Sequence, residues 1–264
     1  MFQPITLLAP AFSNYPEYTV ITTANSGGTT VANTFGAWTQ IGTSPPYKCN
    51  RIWLTGRPNN NNTALPGLVN IGIGPSGSQK IILPNLVFNS MQDFDGPPVS
   101  WNFPTKIPQS MDIWAQMAQD SSTTYNFEVG GICWNDNTDD SGIVTSYADI
   151  STSSGIQVSV SGSGSWGPVT ITSSSGQFKR YAFSILPVGQ PTYMSISTEI
   201  LLNGDAIFPA LVTFIGNGGI NVTTTPGLWG PFECDIPAGS TITMQGYAAT
   251  GGSVSFQIAF YGIS

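Results

Sequence analysis

Histidine is absent from this chain. That removes the usual base of a nucleophilic triad, the commonest metal ligand, and the one side chain whose unperturbed charge changes near neutral pH. Positive charge is almost as scarce: 7 Lys and Arg stand against 14 Asp and Glu, for a formal net charge of -7. Such a surface repels a phosphate backbone instead of neutralising it, so nucleic acid is not an expected partner. Charged residues make up 8% of the chain, against about 25% in ordinary soluble proteins. Solubility therefore rests on Ser, Thr and Asn, which suits a surface packed in an assembly or facing sugars and water.

Long apolar runs are missing as well. Nothing approaches the roughly 20 consecutive residues needed to cross a bilayer, so no membrane contact is expected. No stretch combines good helix formers with a 3.6-residue period, so almost no helix is expected either. The opening Met1-Phe2-Gln3-Pro4-Ile5 lacks the basic region of a secretion signal, and Pro4 and Pro10 interrupt it. Residues 1 to 17 read as a retained arm that lies along the protein or reaches a neighbour. The three cysteines, Cys49, Cys133 and Cys234, form no C-x-x-C pair and fall one short of a structural zinc set. Free buried thiols, made in a reducing compartment, are the expectation.

What is present is a stretch written twice. Ile107-Pro108 to Phe127 returns as Ile236-Pro237 to Phe256 at a constant offset of 129 residues, with Ile113/Ile242 and Gln116/Gln245 in register. Earlier landmarks recur at offsets of 128 and 125, the differences falling in turns: Gly36-Ala37-Trp38 with Gly164-Ser165-Trp166, and Ile82-Leu83-Pro84 with Ile207-Phe208-Pro209. An internal duplication is the simplest reading. It implies an arm at 1–17, a first domain at 18–135, an acidic, Ser-rich linker at 136–154 and a second domain at 155–264, each domain long enough to bury a core.

Within each copy, apolar residues alternate with polar or small ones, as a half-buried strand requires. Val69, Ile71 and Ile73 do so in the first; Val254, Phe256, Ile258 and Phe260, set against Ser255, Gln257 and Ala259, do so in the second. About eight such strands per copy, separated by turns, predict an all-β fold of two tandem antiparallel β-sandwiches, jelly-roll-like in topology; closed barrels satisfy the same alternation. Pro84 and Pro209 lie inside strand-like runs and predict edge positions, close to a change of sheet. The stretches through Pro97-Pro98 and Trp101, and through Pro226-Gly227 and Trp229, read as loops crossing between sheets.

Chemistry is thinly represented. Asp93 with Asp95, or Glu233 with Asp235, could serve as a carboxylate pair for glycoside hydrolysis, though solvated turn carboxylates explain them as well. Asp136, Asp139 and Asp140 could gather a hard cation, but Asp140 stands where a calcium-binding loop needs its glycine. No catalytic residue, metal or cofactor is therefore assigned. The candidate contact residues are Trp114 and Trp134, which have no Trp counterpart in the second copy, and Asn60 and Asn61 at an Asn-rich tip. Exposed, they would contact a partner or a carbohydrate; the alternative is that the two tryptophans pack against the second domain or a neighbouring subunit.

Little charge, no histidine and two tandem sandwich-like copies with Ile-Pro-led terminal strands resemble the structural proteins of tailed-bacteriophage particles, above all capsid decoration or cement proteins. The resemblance implies a non-enzymatic protein made in the host cytoplasm and placed on the outer capsid surface. Its partners would be the major capsid protein or other virion subunits, and it would be a homo-oligomer, with a trimer favoured. Tandem jelly rolls also resemble the small double-barrel coat proteins of membrane-containing viruses. A receptor- or carbohydrate-binding fibre or adhesin module is the alternative from the binding class.

Overall fold

A computed structural model describes residues 18–27, 32–59, 66–89, 99–119, 126–136, 141–147, 156–188, 193–217 and 228–264. The 1–17 arm, Asn60, Asn61, Asp93, Asp95, Asp139 and Asp140 lie outside them. Every regular element among the described residues is a strand.

The first half contains β1 (Tyr18–Gly27), β2 (Thr39–Thr43), β3 (Cys49–Asn59), β4 (Pro66–Ile73), β5 (Lys80–Asn89), β6 (Val99–Ile107), β7 (Asp112–Gln119) and β8 (Asn126–Trp134). They form two four-stranded antiparallel sheets, ordered β1-β8-β3-β6 and β2-β7-β4-β5. After the short β9 (Val144–Ser146), the second half contains β10 (Ile156–Ser161), β11 (Gly164–Thr172), β12 (Phe178–Val188) and β13 (Tyr193–Leu202). It continues with β14 (Asp205–Asn217), β15 (Trp229–Ile236), β16 (Ile242–Thr250) and β17 (Ser253–Ile263). Their order is β10-β17-β12-β15 in one sheet and β11-β16-β13-β14 in the other. Strand for strand this is the order of the first half, and in both it is that of a jelly roll: the first strand pairs with the eighth, the second with the seventh.

Local chemistry explains the edges. β5 and β14 carry Pro84 and Pro209 and are the outermost strands of their sheets, where a missing N–H removes no ladder bond. The next strand in each half, β6 or β15, belongs to the other sheet, so the change of sheet follows these prolines as expected. Trp101 and Trp229 are not in crossing loops. Each lies in the strand that follows, and Trp101 is fully buried because its outward neighbours Ser100 and Asn102 leave it on the inner face of β6.

The stretch expected as a solvated linker is structured over residues 141–147. Val144 is buried, and β9 pairs with the end of β17 through Ser146 opposite Tyr261 and Val144 opposite Ile263. Gly142 donates to Pro104 O at 3.0 Å, and Ser264 donates to Ile143 O at 3.2 Å. Tyr147 stands edge-on to Phe178 and accepts a hydrogen bond from the Gly176 amide. Asp136, at the start of that stretch, is held by Arg51 Nε and Asn50 Nδ2, each at 2.6 Å.

Two apolar clusters result. One fills the second roll and includes the inward rows Tyr181, Phe183, Ile185 and Phe256, Ile258, Phe260. The other fills the first roll but also takes in Ala182, Leu186, Ala259, Tyr261 and Ile263 from the opposite face of that same second-roll sheet. The β17-β12 sheet is thus covered on both faces: by its own roll inside and by the first roll outside.

Candidate interaction surface

Period-2 geometry puts Gln257, Ala259, Tyr261 and Ile263 of β17 on one face with Ala182, Ser184 and Leu186 of the neighbouring β12. Their registers are Tyr261 opposite Ala182 and Ala259 opposite Ser184. Against this face lies the edge of the first roll formed by β5 and β6. The Tyr261 hydroxyl donates to Asn85 O at 3.2 Å and accepts from the Val87 amide at 3.0 Å, and Ser184 also bonds to it. The Gln257 side chain donates to Phe88 O at 3.1 Å. The Tyr261 ring meets the Phe103 ring edge-on, with centroids 5.5 Å apart. Polar groups of the β5 edge that would otherwise be buried without partners are in this way satisfied from the second roll. Burial drives the Tyr261 phenol well above its usual pKa, the bond from Val87 offsetting part of the effect.

The first roll presents the matching face of its own sheet, and there the described residues leave it open. Trp53 on β3 lies opposite Ile132 of β8 and Asn102 of β6; one pair along, Arg51 lies opposite Trp134 and Pro104. Trp53 is 38% exposed, Ile132 and Trp134 are half-buried, and Arg51 is neutralised by Asp136.

Of the residues singled out from the sequence, Trp134 thus joins the open face. Trp114 does not. It is 9% exposed, and its indole N–H donates to Gly74 O at 2.7 Å, so its ring is spent inside the first roll and offers no stacking platform. Trp114 pairs with Gly72 of β4 and Gln40 of β2, far from Trp134 in strand order, and the two do not form one contact patch. Glu233 and Asp235 both lie on the exposed side of β15, where Arg180 Nε stands 3.9 Å from Glu233. Asp136 is engaged by Arg51 and Asn50. Among the described residues no group of acidic or thiol side chains is arranged to hold a metal ion.

The three cysteines are free thiols. A hydrogen bond with Cys49 holds the buried Cys133 below the ordinary thiol value, while burial and the charge of Asp235 push Cys234 up. Tyr181, buried against Phe260 and Phe232, is pushed up to about 12 by loss of water and secondarily by Cys234.

The residues of the seam escaped notice in the sequence, although a signal for them exists. The second face of β17 reads Gln257, Ala259, Tyr261, Ile263, largely apolar where a sheet wet on one side would be polar.

No protein-family model matches the chain, and no curated protein matches its sequence. Among solved structures it is similar to the STIV MCP, at 11% identity over 93% of this chain and 96% of that one, with a TM-score of 0.33. It is similar to the major capsid protein P2 from Bacteriophage PM2 at 6% identity, over 94% of this chain and 98% of that one, with a TM-score of 0.36. A peptide-N(4)-(N-acetyl-beta-D-glucosaminyl) asparagine amidase is similar at 12% identity over 92% and 96%, with a TM-score of 0.30. Two of these three are viral capsid proteins, but likenesses this loose transfer no role.

Proposed function

We propose that this chain is a virion structural protein, a wall-building subunit whose two jelly rolls form one block of a protein shell. The observation that carries the reading is the seam: two rolls of identical strand order are joined edge to face by a buried contact centred on Tyr261. A shell tile must keep its outline while neighbours press on it. An apolar seam pinned by the hydrogen bonds of Tyr261 and of the Gln257 amide N–H fixes the angle between the rolls, since close-packed interiors yield little. A surface of hydroxyls and amides with little charge allows many copies to pack side by side without accumulating repulsion. The step from fold to role is an analogy.

Decoration or cement of an existing capsid is the finer form of the same reading, with residues 1–17 as the gripping arm, the major capsid protein as partner and a trimer as the working unit. A rigid two-roll block favours the shell role over decoration. Quantitative mass spectrometry of purified particles separates them. Copy numbers that make this chain the most abundant shell protein are expected. A simple fraction of another shell protein's copies would establish decoration instead, and loss of occupancy on deleting residues 1–17 would assign the arm. Absence from particles would remove the virion role.

A further inference from the structure

The seam inside the chain has two halves, a face and an edge, and by strand order each roll contains both. The face is the outer side of the β12-β17 sheet; its counterpart in the first roll is the outer side of the β3-β8 sheet. The edge is the β5-β6 side of the first roll; its counterpart in the second is the β14-β15 side. Among the described residues only one face and one edge are used within the chain. Trp53 occupies the place of Ala182, and Ile132 that of Tyr261. Ala182 and Tyr261 are completely buried, whereas Trp53 is 38% exposed and Ile132 half-buried.

The unused edge has the same character. Phe103 and Phe232 hold equivalent places, opposite Ile52 and Tyr181 on the neighbouring strand. Phe103, covered by Tyr261, has no exposure, while Phe232 remains half-buried along with Ile207 and Phe208. Phe208 and Phe232 lie with ring centroids 5.0 Å apart, forming a single aromatic edge. Thus, among the described residues, an apolar face on the first roll and an apolar edge on the second each lack the cover that its twin receives.

We infer that the open face around Trp53, Ile132 and Trp134 is the docking site for the β14-β15 edge of a second copy of this chain, repeating between chains the contact that joins the two rolls within one. The partner is fixed by continuity with the internal seam: the edge that fits this kind of face is carried by every copy of the same molecule. Trp53 in place of Ala182 supplies a large aromatic anchor, the side chain that most often dominates such contacts. The contact is head to tail, so it leaves a free face and a free edge on every pair and continues until it closes into a ring or runs on as a filament. It deepens the shell reading by naming the neighbour, but it rests on the seam and not on that reading.

Light scattering coupled to gel filtration tests it on the full chain. The wild type is expected at a multiple of the chain mass. Trp53→Glu, which breaks the face, is expected to run as a monomer with an unchanged melting temperature, and Ile207→Glu, which breaks the edge, is expected to do the same. Mixed together, the two variants retain one intact edge and one intact face between them and should recover a two-chain species, which no symmetric patch-to-itself contact would produce. A monomeric wild type, a Trp53→Glu protein of wild-type mass, or a mixture that stays monomeric would overturn the inference. If Ile207→Glu fails to melt cooperatively, the comparison of wild type with Trp53→Glu decides alone. Particle copy numbers are read independently, so a monomer found in abundance in virions would remove the docking site and leave the shell role standing.

Discussion

The ring of Tyr261 stands edge-on to that of Phe103 at a centroid distance of 5.5 Å, although 158 positions separate them in the chain (261 minus 103). Around that pair the second roll satisfies the edge of the first. Tyr261→Phe keeps the ring but leaves the Val87 amide and the Asn85 carbonyl without their partner. A loss of about 1–3 kcal/mol is expected, the cost of a buried group left unsatisfied. Tyr261→Ala also opens a cavity at the seam and should cost about 3–5 kcal/mol. Urea unfolding checks both, and the Ala variant should split a single transition into two as the rolls lose their common contact.

Stability should fall in alkali. Tyr181 holds its proton to about pH 12, and Tyr261 is shifted in the same direction by burial. In the unfolded chain both ionise near pH 10. Between about 10 and 12 the folded form therefore carries more protons than the unfolded one, and stability falls as pH rises, by at most about 1.4 kcal/mol per pH unit for each group. Below pH 10 the contribution is fully present. Chemical denaturation at pH 9 and pH 11.5 measures the drop, and Tyr181→Phe should flatten it.

Trp114 is buried in the first roll, with its indole N–H bonded to Gly74 O. Trp114→Phe removes its 2.7 Å bond to Gly74 O and some buried area. About 1–3 kcal/mol of stability should be lost, with no change in self-association or in binding to glycan arrays. A variant of normal stability that lost a binding partner would restore Trp114 as a contact residue.

Thiol labelling should count the cysteines by burial. Cys49 and Cys133 are buried, and Cys234 is half-buried with its pKa raised. Iodoacetamide is expected to add one label per native chain, at Cys234 and slowly near neutral pH because little thiolate is present. In denaturant it should add three. Mass spectrometry of the intact chain gives both numbers, and early labelling of Cys133 would contradict its burial.

Much of the fold was legible in particular residues. The alternation of Val254, Phe256, Ile258 and Phe260 marks β17 and its inner face, and Pro84 and Pro209 mark the two edge strands, because a missing N–H has a meaning independent of distant contacts. Trp101 was misread because the prolines before it suggested a loop, while its burial depends on where β6 falls between the sheets. For Trp114 the sequence leaves contact and packing both open, because lack of a counterpart in the other half says nothing about which side of β7 faces the core; its burial comes from the fold.

The candidate surface was the least legible part. Phe103 and Phe232 occupy equivalent places in strand order, yet one is sealed and the other half-open. That difference arises from Tyr261 lying over one of them and not the other, which no local pattern encodes. Composition and period were sufficient for strands, turns, edges and the exclusion of histidine chemistry, because those follow from single side chains and their nearest neighbours. Which faces are covered was decided only by the packing of one roll on the other. Burial depends on the spatial arrangement of the whole chain, and residues far apart in sequence set it together.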